Sequence, residues 1–319
     1  MNRRSFLNRT GLLGAGLCLA PAFPTLGGGN SKRLPFMISL AEWSLHRALK
    51  AKTIDHLDFP RIAKRDYGIE AIELVNQFFP AKARDRAYLA DFKKRADDAG
   101  VKTLLIMVDD QGALGAPDPA QRQQAVENHR PWIEAAKALD CHSIRVNAET
   151  GGVGTTQDQA ARLVEGLRAL AEFGSKHGLN VLVENHGGLS SHGGWLSDVI
   201  KAVDLPNCGT LPDFGNFRIA ENREYDRYQG VSEMMPYAKA VSAKSHDFDA
   251  DGQETRTDYR RMIKIVLDAG YRGYVGIEYE GERLPEPESI RATKKLLEKV
   301  QAEFEVAANN TVTPAATAK

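Results

Sequence analysis

The stretch Val181-Leu182-Val183-Glu184-Asn185-His186-Gly187-Gly188 decides the fold. It opens on an apolar, valine-rich run, the composition of a strand covered on both faces. Side chains two apart on a strand point the same way, so Glu184 and His186 share a face. The design returns downstream. CGTLPDFGN (208–216) presents Asp213, AVSAKSHDFD (240–249) presents Lys244 and His246, and YVGIEYEG (274–281) presents Glu278 and Glu280. Each apolar run ends in acidic or imidazole groups, and helical stretches separate the runs. This layout predicts an α/β fold, a (β/α)8 TIM barrel in one domain, with its chemistry at the C-terminal ends of the strands.

Working outward, strand and helix alternate throughout. Pro35–Leu45 (PFMISLAEWSL) reads as the first strand and delivers Glu42, Trp43 and His46. Ile69–Phe79 is the second and carries Glu73 and Asn76; Val101–Val108 is the third, with Asp109 and Asp110 at its end. Ser143–Asn147 is the fourth, and Arg145 and Asn147 share one face of it. Helices are expected at 59–67, 84–99, 119–139, 156–177, 195–203, 259–269 and 287–306. Gly100, Gly178 and Gly270 supply helix stops. Phe217–Met235 reads as one long loop. A doubly wound open sheet is the alternative fold. No strand leads into a glycine-rich dinucleotide or phosphate-binding motif.

The chain has 319 residues, enough for such a barrel. Lys plus Arg number 42 and Asp plus Glu number 42, so the formal net charge is zero. No basic stripe suggests a nucleic-acid partner. The first residues read as an export signal, 1–22. Arg3 and Arg4 precede a short apolar run, and Ala20-Pro21-Ala22 fits a small-x-small cleavage site. Paired arginines suggest the twin-arginine route to the periplasm, an ordinary secretory signal being the alternative. Cleavage would leave no stable membrane anchor. Residues 23–33 read as a linker, 34–306 as the catalytic barrel, and 307–319 as a disordered tail. Cys141 and Cys208 fall near the starts of non-adjacent strands and are expected as buried free thiols.

Glu184, Asp213, His246 and Glu278 come from four consecutive strands. If the barrel closes, they converge. Three carboxylates and an imidazole suit one divalent cation: Mn, Mg, Co or Zn. Glu184 and Glu278, from strands three apart, could flank a substrate from opposite sides. His186 and Lys244 could polarise hydroxyls, and Arg145, Asn147 and Trp43 could contact a substrate. Trp43, Phe78, Phe79 and Trp195 could form an apolar wall.

Together VLVENHGG, PDFGN, AKSHDFD and YVGIEYEG resemble the xylose-isomerase-like barrel family of sugar isomerases and epimerases, over about Pro35 to Val306. The resemblance implies metal ligands at Glu184, Asp213, His246 and Glu278. Many relatives place a histidine where this chain has Ser242, and some a lysine at Lys244, which makes His246 the least secure ligand. Asn216 stands where some relatives carry a histidine after the sixth-strand aspartate; a substrate contact is expected there.

The resemblance implies a metal-dependent sugar isomerase or epimerase acting through an enediolate. A divalent ion would stabilise that charge, one carboxylate would remove the proton, and another acid would return one. The nearest alternative is an exported lyase that eliminates the aglycone of a 3-keto-glycoside. A metal-dependent phosphodiesterase and a non-catalytic sugar-binding protein are more distant alternatives. The expected partner is a small carbohydrate. Assembly with further copies of the chain is left open.

Overall fold

A computed structural model describes residues 34–311. The expected signal (1–22), linker (23–33) and last tail residues (312–319) lie outside the described residues. The strands are β1 (Met37–Ala41), β2 (Ala71–Val75), β3 (Lys102–Val108), β4 (Ser143–Asn147), β5 (Asn180–Glu184), β6 (Cys208–Leu211), β7 (Arg218–Ala220), β8 (Arg223–Glu224), β9 (Val241–Ser245) and β10 (Tyr274–Tyr279). Eight of them form one parallel sheet in the order β6-β5-β4-β3-β2-β1-β10-β9, while β7 and β8 pair apart as an antiparallel hairpin. The two ends of the large sheet meet. Thr210 bridges Ala238 and Asp213 bridges Ser242 in parallel fashion, and Ser242 N donates to Pro212 O at 2.9 Å. The sheet thereby curls into the expected barrel.

The helices are α1 (His46–Lys50), α2 (Phe59–Tyr67), α3 (Arg86–Ala99), α4 (Pro119–Ala138), α5 (Thr156–Lys176), α6 (Gly193–Val203), α7 (Arg227–Met234), α8 (Tyr259–Asp268) and α9 (Glu286–Thr311). Their starts follow capping chemistry. Thr155 and Asp158 form a reciprocal capping box on α5, and Asp85, Asp118, Asp226 and Asp258 cap α3, α4, α7 and α8. Gly100 ends α3 with φ 68°, a conformation that costs glycine little.

Two boundaries differ from expectation. The long loop expected at Phe217–Met235 contains the hairpin β7–β8 and the helix α7. The glycine within RYQGVSEM, Gly230, is a packing residue. A Cβ on Gly230 would lie 2.3 Å from Phe217 Cε1, and one on Gly193 would lie 2.6 Å from Gly230 Cα. Small residues here let α6 and α7 approach closely. The last helix continues past Val306 to Thr311, with no glycine or proline in that stretch to stop it.

Strand parity divides the core. Ala41, Val75, Leu105, Met107, Leu182, Leu211 and Ala240 form a small apolar cluster of their own. The alternate residues, such as Leu40, Ile72, Ile106, Ile144 and Val183, belong to the larger core together with apolar helix residues. At the C-terminal strand ends the inner positions are mixed: Ala41, Val75, Met107 and Leu211 are apolar, while Asn147, Glu184, Lys244 and Glu278 are polar. Cys141 and Cys208 are buried free thiols, as expected. Among the described residues no helix is long and apolar enough to cross a membrane.

Candidate active site

Register places the inward-pointing polar groups. Glu278 pairs with Lys244 across β10–β9, and Asn147 pairs with Glu184 across β4–β5. Asp213 follows β6 after Pro212, and its backbone bridges Ser242. These neighbours bring one carboxylate oxygen each from Glu184, Asp213 and Glu278 within 4.8 Å of one another. All three residues are buried.

The trio is braced from several directions. Asn185 points to the other side of β5 from Glu184. Its Oδ1 accepts from Asp213 N at 2.7 Å and its Nδ2 donates to Asp213 O at 3.0 Å. One Asp213 oxygen, Oδ1, accepts from the backbone N–H groups of Gly215 and Asn216. Asn216 Nδ2 donates to Glu184 Oε1 at 3.1 Å, and Ser242 Oγ donates to Glu278 Oε2 at 2.9 Å. Two oxygens are left over: Glu184 Oε2 and Asp213 Oδ2 are buried without a hydrogen-bond partner. A native core rarely strands two carboxylate oxygens unless something else meets them.

Two cations stand beside the trio. Lys244 Nζ lies 3.1 Å from Glu278 Oε1, 3.1 Å from Glu280 Oε2 and 4.0 Å from Asp213 Oδ2. Arg145 Nε faces Glu184 Oε2 at 2.8 Å, an ion pair by distance without the alignment of a hydrogen bond. Arg145 also donates from Nη1 to Asp109 Oδ1 at 2.5 Å, and Asn147 Nδ2 donates to the same oxygen.

Burial dominates the acid–base behaviour. It pushes Glu184 up to about 7, with Arg145 opposing and Glu278 adding to the rise. It pushes Asp213 up to about 7, with Lys244 opposing. For Lys244, burial works downward, but Glu278 first and then Asp213 and Glu280 outweigh it and hold the ammonium well above the ordinary lysine value. Asp109 and Glu280 also resist burial: Arg145 holds the first below its usual value and Lys244 the second. His186 is pushed down by burial and by the nearby Arg145 and Lys244.

Above these groups is a cavity of about 180 Å³, lined among others by Trp43, Asp109, Arg145, His186, Glu278 and Glu280. Trp43 Nε1 donates to Glu280 Oε1 at 2.6 Å, so this indole is tied to the polar rim. Arg145, Asn147, His186 and Trp43 therefore all reach the cavity, while Lys244 and Asn216 bond to the carboxylates that flank it.

His246 stands apart from the trio. Shared parity along 242, 244 and 246 suggested an inward side chain, but β9 ends at Ser245, and His246 is not among the carboxylates that converge. His246 N donates to Glu254 Oε1, and the His246 ring lies 4.0 Å from the same oxygen. Burial and Arg256 push the imidazole down to about 4. The apolar wall is also smaller than expected. Phe79 stacks on His56 behind the sheet, and Trp195 Nε1 bonds to Thr156 O, so only Trp43 and the nearby Phe78 remain. Asp109 and Glu280, seen in the sequence as strand-end acids but given no role there, line the cavity. Asp109 continues the inward parity of Leu105 and Met107, and Glu280 continues that of Glu278. Parity carried past each strand end would have given both that place.

The donor set fits a divalent cation. Three anionic oxygens converge, Asp213 Oδ2 has no hydrogen-bond partner, and oxygen ligands suit magnesium- or manganese-like ions. The fit holds with three carboxylates and without the imidazole.

Comparison with known proteins agrees with this architecture. The family model described as "Xylose isomerase-like TIM barrel" matches residues 62–300. Among solved structures, an L-ribulose 3-epimerase superposes with a TM-score of 0.70 at 14% identity, covering 88% of this chain and 100% of that one. A 3-keto-D-glucoside 4-epimerase from E. coli gives 0.63 at 14%, covering 83% and 99%. At these identities the likeness is one of fold. A curated relative, the C-glycoside deglycosidase alpha subunit of Arthrobacter globiformis, is 34% identical over 83 residues, 25% of this chain and 24% of the relative. The 3'-dehydrocarminate deglycosidase alpha subunit of a Microbacterium species is 32% identical over 57 residues, 18% and 16% of the two chains. The matched segments thus span a quarter or less of these curated relatives.

Proposed function

The chain belongs to the xylose isomerase-like TIM barrel family, and from that premise we propose that it is a carbohydrate enzyme whose first step removes a proton beside a sugar carbonyl. Isomerisation or epimerisation is the leading outcome. The observation that carries the reading is the convergence of Glu184, Asp213 and Glu278 beneath a polar cavity that Glu278 itself lines. Glu184, Asp213 and Glu278 would hold a divalent ion, whose chemistry would be to stabilise negative charge growing on the substrate carbonyl oxygen. The remaining work falls to the chain. One of the pair Glu184 and Glu278 takes the proton from carbon, and the other returns a proton. Burial places Glu184 near neutrality, where a carboxylate is a useful base. Arg145 and His186 orient substrate oxygens over the trio, and Trp43 bounds the sugar on its open side.

A second reading has one observation in its favour. Past Asn147, Glu149 and His186 the cavity meets another of about 640 Å³, bounded by Gly187, Leu189, Ile219 and Arg223. A substituent on the sugar would fit there. In a 3-keto-glycoside the same proton removal, beside the carbonyl, would be followed by loss of the substituent from the next carbon. The partial likeness to the deglycosidase subunits supports this variant too.

Incubation of Mn²⁺-loaded protein with aldoses, ketoses and 3-keto-glycosides in deuterated water tests the proposal. Deuterium entering beside the carbonyl is expected. A new isomer marks the first reading, and a released aglycone the second. No exchange with any member of the panel overturns both. Export rests on Arg3, Arg4 and Ala20-Pro21-Ala22. It is tested by the intact mass of protein from the native host, and a mature chain still carrying those residues overturns it.

A further inference from the structure

We propose that Lys244 is the resident cation of the acidic trio: its ammonium holds the carboxylates together without metal and must move off them when a metal binds. The inference rests on the trio as a cation site and not on the identity of the sugar.

Three observations carry it. First, Lys244 Nζ lies among the trio and its rim. It meets Glu278 Oε1 and Glu280 Oε2 at 3.1 Å each, Asn216 Oδ1 at 3.3 Å and Asp213 Oδ2 at 4.0 Å. Second, the lysine is fully enclosed, and the fold makes room for its stem. A Cβ on Gly215 would lie 3.1 Å from both Lys244 Cγ and Cδ. The ammonium is therefore a built part of the site and not a surface side chain folded inward. Third, among the described residues the only other cation bonded to the trio, Arg145, is shared with Asp109. Without Lys244, the mutual repulsion of Glu278 and Asp213 would be opposed only by that shared arginine on the far side of Glu184.

A divalent ion held by oxygen ligands sits roughly 2.0–2.6 Å from each oxygen. Glu278 Oε1 cannot be that close to the ion while an ammonium remains hydrogen-bonded to it without strong cation–cation repulsion in an enclosed site. Glu280 offers the displaced ammonium an anchor outside the trio. The lysine thus weakens metal binding and spares the metal-free fold an under-compensated anionic cluster.

The test compares the full-length wild type with Lys244→Met by calorimetry with MnCl₂ and by thermal melting in EDTA. The variant is expected to bind Mn²⁺ at least about tenfold more tightly, since a competing positive charge is gone. It is also expected to melt lower in EDTA and to gain more from added Mn²⁺ than the wild type does. Equal or weaker binding by Lys244→Met, or unchanged melting in EDTA, overturns the proposal. Wild-type crystals soaked in MnCl₂ decide the matter if the variant does not fold. The expected result is an ion among the three carboxylates with Lys244 Nζ moved off Glu278. An ion there with Nζ still at hydrogen-bond distance from Glu278, or no ion at this position, overturns it. None of these readouts needs a substrate, so a failed sugar assay leaves them standing.

Discussion

Gly276 lacks a side chain where Glu73 needs the space: a Cβ on Gly276 would lie 2.5 Å from Glu73 Oε1 and 2.8 Å from Oε2. Both residues sit inside the barrel below the active site, with Ser39 Oγ donating to Glu73 Oε1 at 2.6 Å. Gly276→Ala should therefore overpack the interior and cost about 1–3 kcal/mol. The loss should shrink when Glu73→Ala is present, because the clash partner is gone. Denaturant unfolding of the four proteins measures this coupling. An undiminished loss in the double variant would show that the strain lies elsewhere.

Glu73 also sets a pH dependence. Burial pushes its carboxyl up to about 7, Ser39 opposing and Glu278 adding to the rise. The folded state thus binds a proton that the unfolded chain releases near the ordinary glutamate value. Stability from this group is fully present below the unfolded value and is lost as pH rises toward and through 7. Glu73→Gln, which stays neutral, should be more stable than wild type at pH 8, by on the order of 3 kcal/mol. The difference should vanish near pH 4. A pH-independent difference would sink the assignment.

His129 works with the opposite sign. It is buried in α4, where Nδ1 bonds to Ala125 O at 2.7 Å, and burial pushes it down to about 4. The unfolded chain takes up a proton near the usual histidine value, but the folded chain resists. Its contribution is whole above about 6.5 and is lost as pH falls toward 4. His129→Gln should flatten the acid limb of a plot of unfolding free energy against pH, by about 2–4 kcal/mol between those limits. An unchanged limb counts against it.

Asn185 is the side chain that joins β5 to the loop after β6. It never faces the cavity, yet it grips both the N–H and the C=O of Asp213 and also bonds to Asn216 O. Asn185→Leu would leave these buried groups unpaired, at a cost of about 1–3 kcal/mol. It should also loosen Mn²⁺ binding, because Asp213 would lose its fixed position. Calorimetry on the folded variant checks this; unchanged Mn²⁺ affinity would mean that the two Asp213 Oδ1 bonds to Gly215 and Asn216 suffice.

How much of this was legible follows from what sequence patterns encode. Alternation along VLVENHGG and YVGIEYEG correctly placed Glu184 and Glu278 on the inner face, because parity is local. His246 is not among the converging carboxylates: it follows the last residue of β9, and nothing in AVSAKSHDFD marks Ser245 as that residue. The ion pairs of Lys244 with Glu278 and Glu280 depend on the register between β9 and β10, which neither strand contains alone. Asn185 was overlooked for a different reason. A side chain on the outward face of a barrel strand is expected to meet a helix, and here it meets the backbone of the neighbouring strand's loop. α7 lay inside the stretch read as one long loop, and its Gly230 serves close packing.

The two glutamates give the sharpest test of the chemistry. Each is held by donors on both sides: Glu184 by Asn216 and Arg145, Glu278 by Ser242 and Lys244. Replacement by glutamine keeps the size but sets an amide N–H₂ against one of those donors, so a modest loss of stability is expected. The loss of rate should be far larger. A positioned acid or base is typically worth about 10²–10⁴-fold, and each Gln variant should fall by that much on a verified substrate. Deuterium exchange separates the roles. The variant lacking the base should lose both exchange and turnover, whereas its counterpart should retain exchange and stall before product. His246→Ala serves as the comparison, because its ring lies against Glu254 and away from the trio. It should lose less than tenfold. If both Gln variants turn over at the wild-type rate while His246→Ala is dead, the proton moves through the strand-nine loop and the roles given to Glu184 and Glu278 are wrong.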